Sequence, residues 1–301
     1  MMFYDFKFKI LGGDEMILCI VGPTGVGKTK MSVELAKKYN AIIINCDAMQ
    51  VYQGLNIGTA KILEEEKEGV EHYLFDFVSP LVNYTVFDYQ KDARALLEKF
   101  KDRNIIFVGG TGLYLKAALF DYRFSKEEKK DFNYDSFSNE ELLKKCLEKD
   151  PNCSIHVHNR KRLIRFLERE NTTVVEPKPL YNATIIGLTT DRHHLYELIN
   201  KRVEKMMQDG LLEEVKSFYD QNVHSKALET GIGYKELYKY FDNKCSLEDA
   251  ILEIQKNSRH YAKRQYTFFN HQFSVKWFDV HYDHFDDTVK EVQEYIDAKK
   301  N

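Results

Sequence analysis

Five apolar residues, Ile17-Leu18-Cys19-Ile20-Val21, run directly into Gly22-Pro23-Thr24-Gly25-Val26-Gly27-Lys28-Thr29. A stretch with Met31, Leu35 and Ala36 on one helical face then follows to about Tyr39. The middle segment satisfies G-x-x-x-x-G-K-[ST] between a strand and a helix, the context in which that spacing forms a phosphate-binding loop. Its glycines let backbone N–H groups turn inward around phosphate oxygens, and the helix N-terminus adds positive partial charge. Lys28 supplies a point charge, and the Thr29 hydroxyl is placed to ligate Mg²⁺. Gly22, Pro23, Thr24, Gly25, Val26, Gly27, Lys28 and Thr29 are therefore the candidate phosphate-binding residues. They predict a polyphosphate ligand without identifying the molecule that carries it.

The rest of the pattern predicts an α/β fold, a P-loop NTPase-like parallel sheet core with a helical insertion domain. Ala41-Ile42-Ile43-Ile44 reads as a second strand ending in Asn45-Cys46-Asp47, Tyr73 to Val78 as a third, and Ile105-Ile106-Phe107-Val108 as a fourth leading into Gly109-Gly110-Thr111-Gly112. Thr85 with Asp88 predicts a capped helix to about Arg103. Strands alternating with helices imply a parallel sheet covered on both faces. The pattern breaks after Leu119. Residues 121–150 are rich in Lys, Glu and Asp, Ser138 with Glu141 starts a helix, Asn159 to Glu170 is a densely basic helix, and Pro177 and Pro179 close the segment. Strand character returns at 183–188, and the chain is mostly helical from Asp191, with Ser246 and Asp249 opening a helix to about Gln272. The expected divisions are an N-terminal extension over 1–15 with Met16 as the candidate natural start, a core over 16–120, a helical insertion over 121–182, and the C-terminal part of the core over 183–301.

Charge and cysteine content narrow the function. Against 44 basic residues stand 47 acidic ones, a net charge of −3, so any nucleic-acid contact must come from a local patch. No apolar run reaches about 18 residues, so no membrane span and no membrane partner are expected. The five cysteines form no CxxC pair, which removes zinc-finger spacing and suits a reducing cytoplasm; Cys19 and Cys46 read as small buried hydrophobes. A GTPase would need an Asn-Lys-x-Asp motif, which is absent, and the fourth strand ends in Gly-Gly instead of a metal-positioning Asp. The carboxylate that does end a strand is Asp47. Strand C-terminal edges face the ligand crevice in such sheets, which places Asp47 near the phosphates. A helix cap or an outer-shell Mg²⁺ role is the alternative for that side chain.

Asp47 also opens the block Asp47-Ala48-Met49-Gln50-Val51-Tyr52-Gln53-Gly54-Leu55-Asn56-Ile57-Gly58-Thr59-Ala60-Lys61. Following this phosphate loop, it closely resembles the tRNA dimethylallyltransferases, also called tRNA isopentenyltransferases. His72 to Pro80, Gly109 to Tyr114, Asn159 to Arg165, Asn200 to Val215, Gly233 to Glu236 and Ala262 to Gln265 agree as well, so the resemblance runs from about residue 16 to 280. Ala48, Gln53, Ile62 and Glu71 stand where the family usually has Ser, Arg, Pro and His. The resemblance implies that dimethylallyl diphosphate donates its five-carbon group to N6 of an adenosine next to the anticodon. The loop then holds a departing diphosphate, and Lys28, Thr29 with Mg²⁺, and the loop amides stabilise its growing charge, with Thr24 near the bridging oxygen. Asp47 is the candidate general base for a weakly nucleophilic adenine amine. Thr111 resembles the family's residue near the adenosine, although turn chemistry alone also explains a threonine there. Asp47, Ala48, Met49, Gln50 and Thr111 are the expected acceptor contacts.

A tRNA anticodon stem-loop must present an unstacked base, and such bases rest on aromatic or guanidinium planes. Lys161, Arg165 and Arg169 repeat at i, i+4 and line one helical face. Composition alone favours a solvated face; the family resemblance of Lys161-Arg162-Leu163-Ile164-Arg165 favours a tRNA-contacting element. Arg259, Lys263 and Arg264 form a second basic patch interleaved with Tyr261 and Tyr266, and Gln265 beside them is able to hydrogen-bond a base or a phosphate. His156, His158, His193 and His194 lack cysteine partners and are not assigned to a metal, and Phe268-Phe269 reads as core packing. The competing activities are an adenylate isopentenyltransferase, for which the basic insertion has no use, and a small-molecule P-loop kinase consuming ATP. No obligate protein partner is expected.

Overall fold

Every residue of β1 (Ile17–Val21) is apolar because both faces of the strand are covered. Leu18 and Ile20 point to one side, where they meet Met31 and Leu35 of α1 (Lys28–Tyr39). Ile17, Cys19 and Val21 point to the other. The computed structural model describes residues 15–124, 133–168 and 177–300, and the chain divides into one unit of Met1–Phe120 with Pro179–Asn301 and a second of Asp121–Lys178.

The larger unit is built on a six-stranded, all-parallel sheet in the order β3-β2-β4-β1-β5-β6, with β2 (Ala41–Asn45), β3 (His72–Tyr73), β4 (Asn104–Val108), β5 (Ala183–Thr189) and β6 (Lys276–Asp279). On one face lie α1, α6 (Arg192–Gln208) and α11 (Phe285–Lys300), through Leu195, Ile199, Val292 and Ile296. On the other lie α2 (Val86–Lys99) and α3 (Gly112–Leu119), through Tyr89, Leu97, Leu115 and Leu119. A separate apolar cluster joins residues 51–55 to α6, α7 (Leu211–Asp220), α8 (Lys226–Thr230), α9 (Tyr234–Phe241) and α10 (Leu247–Gln272).

The smaller unit contains α4 (Asn139–Lys149) and α5 (Arg160–Glu168), packed through Leu142, Cys146, Leu163 and Phe166. Ser138 and Glu141 form the expected capping box. Lys149 Nζ donates to the carbonyls of Phe166 and Leu167 at 3.1 and 2.9 Å, satisfying acceptors that the last turn of α5 leaves open.

Three elements depart from the sequence reading. The third strand is only His72–Tyr73, because Leu74 and Asp76 take φ of 62° and 53° and turn the chain out of the sheet. The following residues instead pair with 50–53: the amides of Asp76 and Phe77 donate to the carbonyls of Gln50 and Val51, and that of Gln53 to Val78. The helix capped by Thr85 stops at Lys99, short of Arg103. Beyond Gln272 the chain adds β6 to the sheet edge beside β5, a strand too short to announce itself within a helical stretch.

Candidate active site

The phosphate loop leaves the C-terminal end of β1 and turns into α1. Gly25 and Gly27 hold φ of 89° and 87°, conformations a β-carbon would disfavour. The Lys28 ammonium folds back over the loop and donates to the Pro23 carbonyl at 2.6 Å. Burial and the neighbouring Arg202 charge push the Lys28 ammonium down to about 7, while Asp47 pulls in the opposite direction. Arg202, on α6, is likewise lowered by burial and supported by Asp47. Two half-buried cations thus share one carboxylate. Such a cluster is one negative charge short, and an anion on the loop would supply it.

Asp47 sits just past β2, at the sheet end that carries the loop. Its backbone is pinned by Asn45, whose side chain accepts from the Asp47 amide at 2.9 Å and donates to the Asp47 carbonyl at 3.0 Å. Asp47 Oδ1 accepts from the Met49 amide at 2.9 Å, closing a turn, and no helix starts here for it to cap. Oδ2 has no hydrogen-bond partner among the described residues. Thr111 lies alongside: its hydroxyl accepts from the Ala48 amide at 3.0 Å, and its own amide donates to the Cys46 carbonyl at 3.0 Å. Tyr261 of α10 stands beside Thr111, and its phenol is pushed up by burial and by the Asp47 charge. Asp47 with Ala48, Thr111 and Tyr261 are therefore brought together from three separate stretches of sequence.

Gln265 is placed differently from expectation. It is 4% exposed, and its amide bridges two loops: Oε1 accepts from Thr24 N at 3.2 Å and Nε2 donates to Gly110 O at 3.1 Å. Both ends are used internally, so it fastens the phosphate loop to the Gly-Gly turn and does not face an outside ligand. Gly110 is required by this contact, since a β-carbon there would lie 1.9 Å from Gln265 Nε2. Gln50 is also turned inward, donating to the carbonyls of Thr59 and Ala60 at 3.0 and 3.3 Å. Met49 packs against the helical cluster. Phe269 is buried as expected, and Cys19 and Cys46 are buried thiols.

The basic residues separate into two kinds. Lys161, Arg162 and Arg165 are exposed on α5, whereas Leu163 is fully buried and Ile164 partly so, which gives those two an interior role in place of the expected tRNA contact. Arg169 lies outside the described residues. Lys263 and Arg264 are exposed on α10, with the Arg264 guanidinium 5.5 Å from the Tyr261 ring centre. Arg259 is partly buried and donates to Asn200 Oδ1 at 2.6 Å, bracing α10 on α6 and leaving it little freedom for an outside partner.

Sequence reading missed Arg202 as a site residue. Its signal was present: Leu195, Ile199 and Met206 form an apolar stripe on α6, and Arg202 falls on the same stripe by its spacing. A charge on a buried face needs a buried partner.

The IPP transferase family model matches residues 50–272. The tRNA dimethylallyltransferase of Anoxybacillus flavithermus is 44% identical over 302 residues, covering 95% of this chain and 97% of the relative. The Bacillus subtilis enzyme of the same name is 44% identical, covering 88% and 91%. Among solved structures, the tRNA isopentenylpyrophosphate transferase of Bacillus halodurans superposes with a TM-score of 0.75 at 38% identity, covering 95% of this chain and 97% of that one. A eukaryotic dimethylallyltransferase captured acting on tRNA superposes with a TM-score of 0.69 at 26% identity, covering 88% and 74%.

Proposed function

The chain belongs to the IPP transferase family, and on that premise we propose that it transfers a dimethylallyl group from dimethylallyl diphosphate to N6 of an adenosine next to the anticodon of tRNA, releasing diphosphate. The observation that carries this reading is the pairing of Lys28 and Arg202 with the single carboxylate of Asp47, next to a glycine loop in which Gly25 and Gly27 hold positive φ. A diphosphate supplies the missing negative charge, and the neighbouring carboxylate is where a nucleophile would be deprotonated.

In the proposed reaction the bond between the allylic carbon and the bridging oxygen breaks, and the electron pair leaves with the diphosphate. Lys28, Arg202, the Thr24 region and the loop amides stabilise that charge without reorganising, because Gln265 already fixes the loop. The adenine N6 lone pair attacks the allylic carbon. Its proton passes to Asp47 Oδ2, the oxygen not engaged by Met49. Thr111 and Tyr261 line the acceptor side. Among the described residues no group of three His, Cys, Asp or Glu side chains is arranged to hold a metal. Thr29, exposed at the start of α1, is the residue that would offer Mg²⁺ a hydroxyl, and the ion would neutralise leaving-group charge when bound. Lys161, Arg162 and Arg165, with Lys263 and Arg264, are the proposed phosphate contacts to the anticodon stem-loop. No helix among the described residues is long and apolar enough to cross a membrane.

Incubation with dimethylallyl diphosphate and unmodified tRNA, followed by digestion and nucleoside mass analysis, tests the proposal. The expected product is an adenosine carrying one dimethylallyl group. Transfer to free AMP with none to tRNA, or ATP-dependent phosphorylation without prenylation, would overturn it.

A further inference from the structure

The loop between β2 and β3 is held from outside by one carboxylate. Glu214, in the first turn of α7, accepts from three consecutive amides: Asn56 at 3.0 Å, Ile57 at 2.7 Å and Gly58 at 3.1 Å. Successive amides converging on one anion form a nest, a strong and directional arrangement. A fourth donor, the Tyr234 phenol, reaches Glu214 Oε1 at 2.6 Å. Gly58 makes this possible, because a β-carbon there would lie 2.7 Å from the Tyr234 ring and hydroxyl.

Immediately after the clamped amides comes Thr59, whose carbonyl accepts from Arg202 Nη2 at 3.3 Å and from Gln50 Nε2 at 3.0 Å. Thr59 Oγ1 donates to Leu55 O at 2.7 Å, closing the turn on itself. The far side is tied by Lys61, which donates to Tyr52 O at 2.6 Å and Asn56 Oδ1 at 2.9 Å and pairs with Asp76. Among the described residues, the Thr59 carbonyl is the hydrogen-bond acceptor that the Arg202 guanidinium meets. We infer that Glu214 is a positioning residue: by clamping residues 56–58 it sets the Thr59 carbonyl, which holds the Arg202 guanidinium beside Lys28 and Asp47. The inference rests on the prenyl-transfer reading for its ligand. Glu214 touches neither substrate and acts through Arg202.

Titration calorimetry with dimethylallyl diphosphate tests the clamp independently of turnover. Glu214→Gln, whose amide nitrogen cannot accept from backbone N–H, is expected to weaken donor binding about tenfold, with tRNA affinity by fluorescence anisotropy within about twofold of wild type. Glu213→Gln removes the same charge from the same helical turn without touching the three amides, which all donate to Glu214, and is expected to bind as wild type. In an Arg202→Gln background, Glu214→Gln is expected to add less than about twofold, because the two act in series. Unchanged donor binding in Glu214→Gln, or an equal loss with and without Arg202, overturns the inference. If Glu214→Gln fails to fold, Tyr234→Phe decides: about threefold weaker donor binding with unchanged tRNA affinity supports the clamp, and wild-type donor binding refutes it. Wild-type protein that binds the donor but transfers nothing to tRNA overturns the parent reading, and the clamp is still measured.

Discussion

Lys28 gives the sharpest test of the charge balance at the site. Burial and Arg202 lower its ammonium to about 7 in the free protein. About half of the molecules are then protonated at pH 7, and about one in ten at pH 8. A diphosphate bound against the amine stabilises the charged form and raises it back toward the ordinary lysine value. Binding at pH 8 must therefore take up about 0.9 proton, and the donor Kd should rise about tenfold, or about 1.4 kcal/mol, for each pH unit above 7.5 until the bound-state value is approached. The donor's own terminal phosphate ionises near 6 and contributes little in that window. Calorimetry in two buffers of different ionisation enthalpy reads both quantities. Lys28→Met should bind far more weakly and lose the proton uptake. A Kd that is flat from pH 7 to 9 with no proton uptake would refute the account. For the free protein the same group acts in the other direction. Its folded value lies below its unfolded value, so the unfolded chain holds more protons between about pH 7 and 10.5, and the burden of the buried cation is full below that window and lifts as pH rises through it.

Asp47→Asn should retain donor affinity and lose about 10²–10⁴-fold in kcat, as removal of a general base does; single-turnover rates near wild type would remove that role. Arg165→Ala, on the exposed face of α5, should weaken tRNA binding and lower the slope of log K against log salt by about 0.7–0.9. An unchanged slope would make that face merely solvated. Gly110→Ala forces Gln265 off its bridge and leaves the Thr24 amide without its acceptor, so urea unfolding should show a loss of about 1–3 kcal/mol together with a raised donor KM. Wild-type values for both would show that the bridge is dispensable.

Part of the site was legible because its chemistry is local in sequence. The glycine spacing, Lys28 and Thr29 adjoin one another, and the turn after β1 needs little beyond its own residues. Asp47 was legible because it terminates an apolar run, and strand ends face the crevice. Arg202 and Glu214 were not, since each is distant in sequence from the group it serves: Arg202 from Lys28, and Glu214 from the amides of 56–58. Gln265 was misplaced because its neighbours Lys263 and Arg264 are solvent-facing, and one residue along a helix turns a side chain by about 100°, enough to bring it inside.

By itself, the sequence determined the parallel α/β core and the phosphate loop, because apolar runs, helix periodicity and glycine spacing are written within a few residues of one another. The basic face of α5 was determined in the same way, by i, i+4 spacing around the buried Leu163 and Phe166. Tertiary structure decided where the charges meet. It turned the chain out of the sheet after Tyr73, sent Gln265 inward, and set a half-buried arginine from α6 beside a lysine from α1 and an aspartate just past β2. The physical reason is range: backbone conformation follows from neighbouring residues, whereas desolvation and charge pairing depend on whatever the fold brings within a few ångströms.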